Sequence, residues 1–217
     1  YSIANVTTNH IIAATFSLIP PTPVNGTCGS SNSGTFTTVP STNLCATGTA
    51  SIVTGAGPWN WSCSGLYGGN SSPTCSANIQ TYAITFQTGG NGSLTGTASQ
   101  TVNFGTSTTQ ITAFPATGYH FVNWTGTNGF VTTMTNPLMV SNVTATQTIT
   151  ANFAPDPING ACGASNGQTF AAKPTTNLCS DNTLPAVSGS GPWNWKCTGS
   201  SGGTEATCSA SIAIVNA

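Results

Sequence analysis

Apolar and polar residues alternate along much of this chain with the two-residue period of a β-strand. Tyr82, Ile84 and Phe86 alternate with small or polar residues ahead of a turn at Gly89-Gly-Asn-Gly92, and Ile149, Ala151 and Phe153 alternate again further on. Such alternation buries one face of a sheet and leaves Thr, Ser and Asn on the other. Thr is β-branched, so even the polar face favours strand. Gly, Pro, Asn and Thr interrupt every window in which a helical period could run. The pattern predicts an all-β protein built of tandem small β-sandwich-like or β-sheet modules.

Internal repetition organises these strands. Val24-Asn-Gly-Thr-Cys28-Gly-Ser-Ser-Asn recurs as Ile158-Asn-Gly-Ala-Cys162-Gly-Ala-Ser-Asn, and Gly57-Pro-Trp-Asn-Trp-Ser-Cys63 recurs as Gly191-Pro-Trp-Asn-Trp-Lys-Cys197, both at an offset of 134. A second kind of unit lies between the copies. Its ending, Asn142-Val-Thr-Ala-Thr-Gln-Thr-Ile-Thr-Ala-Asn-Phe153, is echoed by Asn5-Val-Thr-Thr-Asn-His-Ile-Ile-Ala-Ala-Thr-Phe16 at an offset of 137. Pro-rich joints at Ile19-Pro-Pro-Thr-Pro23 and Ala154-Pro-Asp-Pro157 mark boundaries, because proline fixes φ and favours extended spacers. The expected domains are residues 1–20, the trailing strands of an incomplete unit; 21–80, a first Cys module; 81–155, a complete β unit; and 156–217, a second Cys module. The order reads as a window on an alternating array, and Tyr1 without Met or signal peptide reads as a processed chain or a piece of something longer.

The eight cysteines fall into two sets, Cys28, Cys45, Cys63, Cys75 and Cys162, Cys179, Cys197, Cys208. Matched spacings predict two copies of a two-disulfide framework, hence two stapled modules in an oxidising compartment. Four cysteines admit three pairings per module. The turn at Gly68-Gly-Asn70 and a shared face with the tryptophans favour Cys63 with Cys75, leaving Cys28 with Cys45. No pair has zinc-knuckle or haem-attachment spacing, so neither a metal nor any other cofactor is expected.

The stretch carrying Gly-Asn-Gly-Ser93, Phe114-Pro-Ala-Thr-Gly-Tyr-His-Phe-Val-Asn-Trp124 and Ile149-Thr-Ala-Asn-Phe153 resembles the divergent internalin-type B-repeat, or bacterial repeat, of large secreted and surface-attached bacterial proteins. The resemblance covers the central unit and the echoed tail. It implies a surface-exposed spacer or adhesive module and carries over no catalytic residue. The Cys module looks like one interleaved with such repeats in large bacterial exoproteins.

Charge narrows the functions further. The chain has two Lys and three Asp or Glu, no Arg, and all five charges (Asp156, Lys173, Asp181, Lys196, Glu205) lie in the last third. Nucleic acid and anionic membrane surfaces both recruit Lys and Arg, so neither is an expected partner. No apolar run is long enough to span a bilayer, so membrane insertion is not expected either. A near-neutral surface suits a chain that assembles or carries sugar. Seven Asn-x-Ser/Thr sequons occur, at Asn5, Asn25, Asn60, Asn70, Asn91, Asn123 and Asn142. They and the exposed Ser and Thr are candidate glycan sites.

Acid–base catalysis needs clustered titratable groups, and His10, His120 and three carboxylates are scattered, so no enzyme is expected. Trp59 and Trp61, like Trp193 and Trp195, share one strand face, and their indoles are candidates to stack on sugar rings. Packing against the cysteines of the same parity is the preferred reading. Ile12, Ala14 and Phe16 form the apolar stripe of an unpaired terminal strand, and Ile212 and Ile214 belong to a second; both are candidate inter-subunit strands. Together these features predict an extracellular subunit of a bacterial surface fibre whose partners are copies of itself, with an adhesin stalk or a sugar-binding module as the alternatives.

Overall fold

The computed structural model describes Ser2 and residues 4–214. They fall into two compact units, Tyr1–Gln80 and Thr81–Ala217. Every regular element among the described residues is a strand.

In the first unit residues 4–23 form no strand. The Cys module then runs through β1 (Thr27–Cys28), β2 (Thr35–Phe36), β3 (Cys45–Thr47), β4 (Thr49–Ala50), β5 (Trp59–Trp61), β6 (Cys63–Ser64) and β7 (Cys75–Ile79). Strand β7 is the middle of a three-stranded sheet, parallel to β2 and antiparallel to β5. The short pairs β1–β3 and β4–β6 complete the module. Trp59, Trp61, Cys63, Cys75 and Ala77 form its buried core.

The second unit opens with the central β unit: β8 (Thr81–Thr88), β9 (Gly92–Thr95), β10 (Ser99–Asn103), β11 (Thr112–Pro115), β12 (Tyr119–Gly126) and β13 (Gln147–Pro155). Its main sheet has the order β10-β8-β13-β12, and β9 pairs with β11 beside it. Strand β13 lies inside the sheet, parallel to β8 and antiparallel to β12. Strands flanked on both sides carry the most apolar face, and Ile149 and Ala151 of β13 are fully buried with Ile84, Ile111 and Trp124. Phe86 meets Trp124 edge-on at 6.1 Å, and Phe121 meets Phe153 at 6.0 Å. Asn136 extends the β11 ladder with its side chain, accepting from Ala113 N–H at 2.9 Å and donating to Ala113 C=O at 2.8 Å.

The second Cys module repeats the first with β14 (Thr169–Phe170), β15 (Trp193–Cys197) and β16 (Ala206–Ile212), ordered β14-β16-β15. Its core is separate from that of the central unit.

The disulfides correct the expected connectivity. They join Cys28 to Cys75 and Cys45 to Cys63, and in the second copy Cys162 to Cys208 and Cys179 to Cys197. Cys28 and Cys45 stand opposite each other in the β1–β3 ladder, and Trp61 stands opposite Cys75 in the β5–β7 ladder. Directly opposed Cβ atoms in such ladders lie about 4.5–5.5 Å apart, and diagonal ones farther, whereas a disulfide wants about 3.8 Å. The sulfurs bond instead between different ladders. In the first module one bridge reaches Cys75 of β7 in the Trp-bearing sheet, and the other reaches Cys63 of β6, which pairs with β4. In the second both reach the Trp-bearing sheet, at Cys197 of β15 and Cys208 of β16, whose own sulfurs approach to 3.6 Å but are each bonded elsewhere.

Candidate functional site

The side chains that repeat between the Cys modules turn out to hold the modules together. Asn25 Oδ1 accepts from Asn70 N–H at 2.9 Å, and Asn159 Oδ1 from Thr204 N–H at 2.9 Å. Asn32 Oδ1 accepts from Ser76 N–H, and Asn166 Oδ1 from Ser209 N–H. The buried Ser31 hydroxyl donates to Thr42 C=O and that of Ser165 to Thr176 C=O, at 2.7 and 2.8 Å. Gly26 and Gly160 lie so close to the carbonyls of Cys63 and Cys197 that no Cβ fits there. The Asn-Gly-x-Cys-Gly-x-Ser-Asn motif is thus a set of clasps across the module, and the Asn25 sequon is engaged in one of them.

The tryptophans are equally committed. Trp59, Trp61, Trp193 and Trp195 are only 2–4% exposed, and Trp61 Nε1 donates to Leu44 C=O at 2.8 Å as Trp195 Nε1 does to Leu178 C=O at 2.7 Å. A stacking platform needs an open ring face, which burial against the disulfides removes. The candidate sugar site on these four residues is not formed.

His120 and Asp156, far apart in sequence, come together because β12 and β13 pair Tyr119 with Pro155; Nδ1 and Oδ1 stand 3.2 Å apart in an exposed pair. Sequence spacing carried no sign of it. Lys196 pairs with Glu205 at 2.6 Å on the exposed face of β15. Among the described residues no cluster of three His, Cys, Asp or Glu could hold a metal ion, and no helix is long and apolar enough to cross a membrane. A groove of about 510 Å³ on the central unit is lined by Phe130, Val131, Leu138 and Met139.

The two candidate contact strands fare differently. Ile212 ends β16, paired in parallel with Phe170, and sits over Gly191, so the C-terminal strand is not unpaired there. Ile214 is exposed, and Val215 and Asn216 of that expected strand lie outside the described residues. Near the other end the apolar stripe is open: Ile11, Phe16 and Leu18 are each more than 90% exposed and Ile12 is 66% exposed. Isolated apolar residues at a surface are ordinary, whereas this run gathers several of them along one short stretch.

The architecture defines a class: a tandem array of disulfide-stapled and unstapled small β modules. Residues 82–157, a little over a third of the chain, match the sequence model of the Divergent InlB B-repeat domain family. No curated protein and no solved structure matches the chain. The B-repeat match and the four disulfides point to an extracellular or bacterial surface protein.

Proposed function

We propose that this chain is a non-enzymatic structural segment of a bacterial surface fibre, joined to neighbouring subunits through β-strand contacts. The observation that carries the reading is the exposed stripe at Ile11 to Leu18. At Ile12, Ala14 and Phe16 it repeats the core-facing residues of β13, of which Ile149 and Ala151 are fully buried. A segment built to lie inside a sheet gains both hydrogen bonds and burial when another sheet accepts it. The charge-free first 155 residues add no repulsion between packed copies. Negative-stain imaging of native material and of a chain lacking residues 1–17 tests the reading. Fibres that shorten or vanish on deletion support it. Fibres of normal length refute strand contact through this segment, and isolated stalks in native material assign the chain to a surface stalk instead.

A further inference from the structure

Resting on that reading, we infer that residues 4–18 fill an internal strand slot in a B-repeat sheet other than the central unit, one that lacks its own last strand and has a more apolar outer face. The segment agrees at each apolar core position with β13 and the stretch just before it. Val6, Ile12, Ala14 and Phe16 stand where Val143, Ile149, Ala151 and Phe153 stand, and Asn5 keeps the left-handed backbone of Asn142, with φ of 53° against 51°. The first three of those central-unit residues are buried, and Phe153 packs against the same core. The core face is therefore cut for a slot between a parallel and an antiparallel neighbour, as β13 sits between β8 and β12.

The opposite face is not a copy. In β13, Asn152 Nδ2 donates to Asn123 Oδ1 at 2.8 Å and Thr125 Oγ1 at 3.0 Å, and Thr150 Oγ1 accepts from Gln87 Nε2 at 3.1 Å. The segment places Thr15 at the position of Asn152, Ala13 at that of Thr150 and Ile11 at that of Thr148. Exchange into a second copy's central unit would free that copy's β13 with the same apolar residues, so no burial is gained. It would also forgo these bonds, at roughly two- to tenfold each. The resident strand is tethered as well, which corresponds to an effective concentration on the order of millimolar. Both effects run against exchange, and the apolar Ile11 and Ala13 call for a host whose facing residues are apolar.

Hydrogen exchange and peptide binding test this. In the isolated chain, amides 11–16 should exchange at coil rates at every concentration, and a peptide of residues 4–18 should show no binding to it at about 1 mM. Protection that rises with concentration, or peptide binding to the wild-type chain, makes the central unit the host and overturns the inference. Against an Ile149→Asp chain, whose own strand is unseated, the native peptide should bind, and an Ala13→Thr, Thr15→Asn peptide should bind roughly tenfold tighter or more. Equal or weaker binding of the substituted peptide also overturns it. Should Ile149→Asp not fold, native surface material decides: amides 11–16 protected there support the slot, and coil-rate exchange refutes it. Protection that survives dissolution to single polypeptides places the host sheet in the same polypeptide, and protection lost on dissolution places it in another. The fibre reading fails separately, by fibres that persist without residues 1–17.

Discussion

Reduction should dissolve the two Cys modules and spare the unit between them. In the first module the bridges close separations of 47 and 18 residues, and in the second 46 and 18. On the chain-entropy account an 18-residue loop contributes about 3 kcal/mol and a 47-residue loop about 4 kcal/mol, so each module loses about 7 kcal/mol on full reduction. Whole domains are stable by only about 5–15 kcal/mol. The first module's buried core comprises five residues, two of them the cysteines themselves. Its reduced form therefore has no reserve. The central unit has no cysteine and keeps a core of eleven buried residues around Trp124. Hydrogen exchange followed by mass spectrometry, with and without a phosphine reductant, should show β5, β7, β15 and β16 losing protection while β8, β12 and β13 keep theirs. Trypsin gives a second readout, since Lys196 in the second Cys module is its one cleavable site, Lys173 being shielded by Pro174 and the chain having no Arg. Loss of protection in β13 in step with β16, or Cys modules that stay protected once reduced, would refute this division of stability.

Within that process the Cys179–Cys197 bridge should be the last reduced, because both partners are buried to 2% exposure whereas Cys45 of the equivalent bridge is only half-buried; timed alkylation and peptide mapping reads the order. Trp61→Phe and Trp195→Phe should each cost about 1 kcal/mol beyond the packing loss, one hydrogen bond's worth, because the accepting carbonyls of Leu44 and Leu178 keep their bonds from Gly29 and Gly163 N–H. Trp124→Phe should show the packing loss alone, since the buried Trp124 Nε1 has no hydrogen-bond partner; thermal melts of the three variants compare them. The Thr183 hydroxyl and N–H donate to Asp181 and hold its carboxyl below the ordinary value of 3.8. A depressed native pKa gives stability that is present above 3.8 and lost as pH falls through the lowered value, so acid melts of wild type and Asp181→Asn should converge only in that acid range.

The all-β class and the two strands at Tyr82–Phe86 and Ile149–Phe153 were legible because both lie within β8 and β13, whose inner faces are buried residue by residue. The duplication was legible for a related reason: the same Asn, Ser and Gly side chains make the same clasps in both copies. What stayed hidden were relations across distance in the chain. A turn joins Cys63 to Cys75, but the residue that stands opposite Cys75 is Trp61, Cys63 pairs with Ala50, and both sulfurs bond to the first Cys pair instead. The parallel seating of β13 against β8, and the meeting of His120 with Asp156, depend on a register set only once all the strands have assembled.

This difference bears on how the functional residues should be sought. The Trp-Asn-Trp runs stand out in the sequence, yet their indoles are buried, and Trp61 and Trp195 also donate to backbone carbonyls, so they are bound up in the modules they repeat in. The segment at Val6 to Phe16 is plain by comparison, and its Val6, Ile12, Ala14 and Phe16 match the core residues Val143, Ile149, Ala151 and Phe153. In β13 such residues are covered; in this segment Ile11, Ile12 and Phe16 lie open. The same core face is thus covered in one place and open in the other, while the outer faces differ. On the proposed reading it is the open copy, and not the conspicuous aromatic motif, that bears on what this protein contacts.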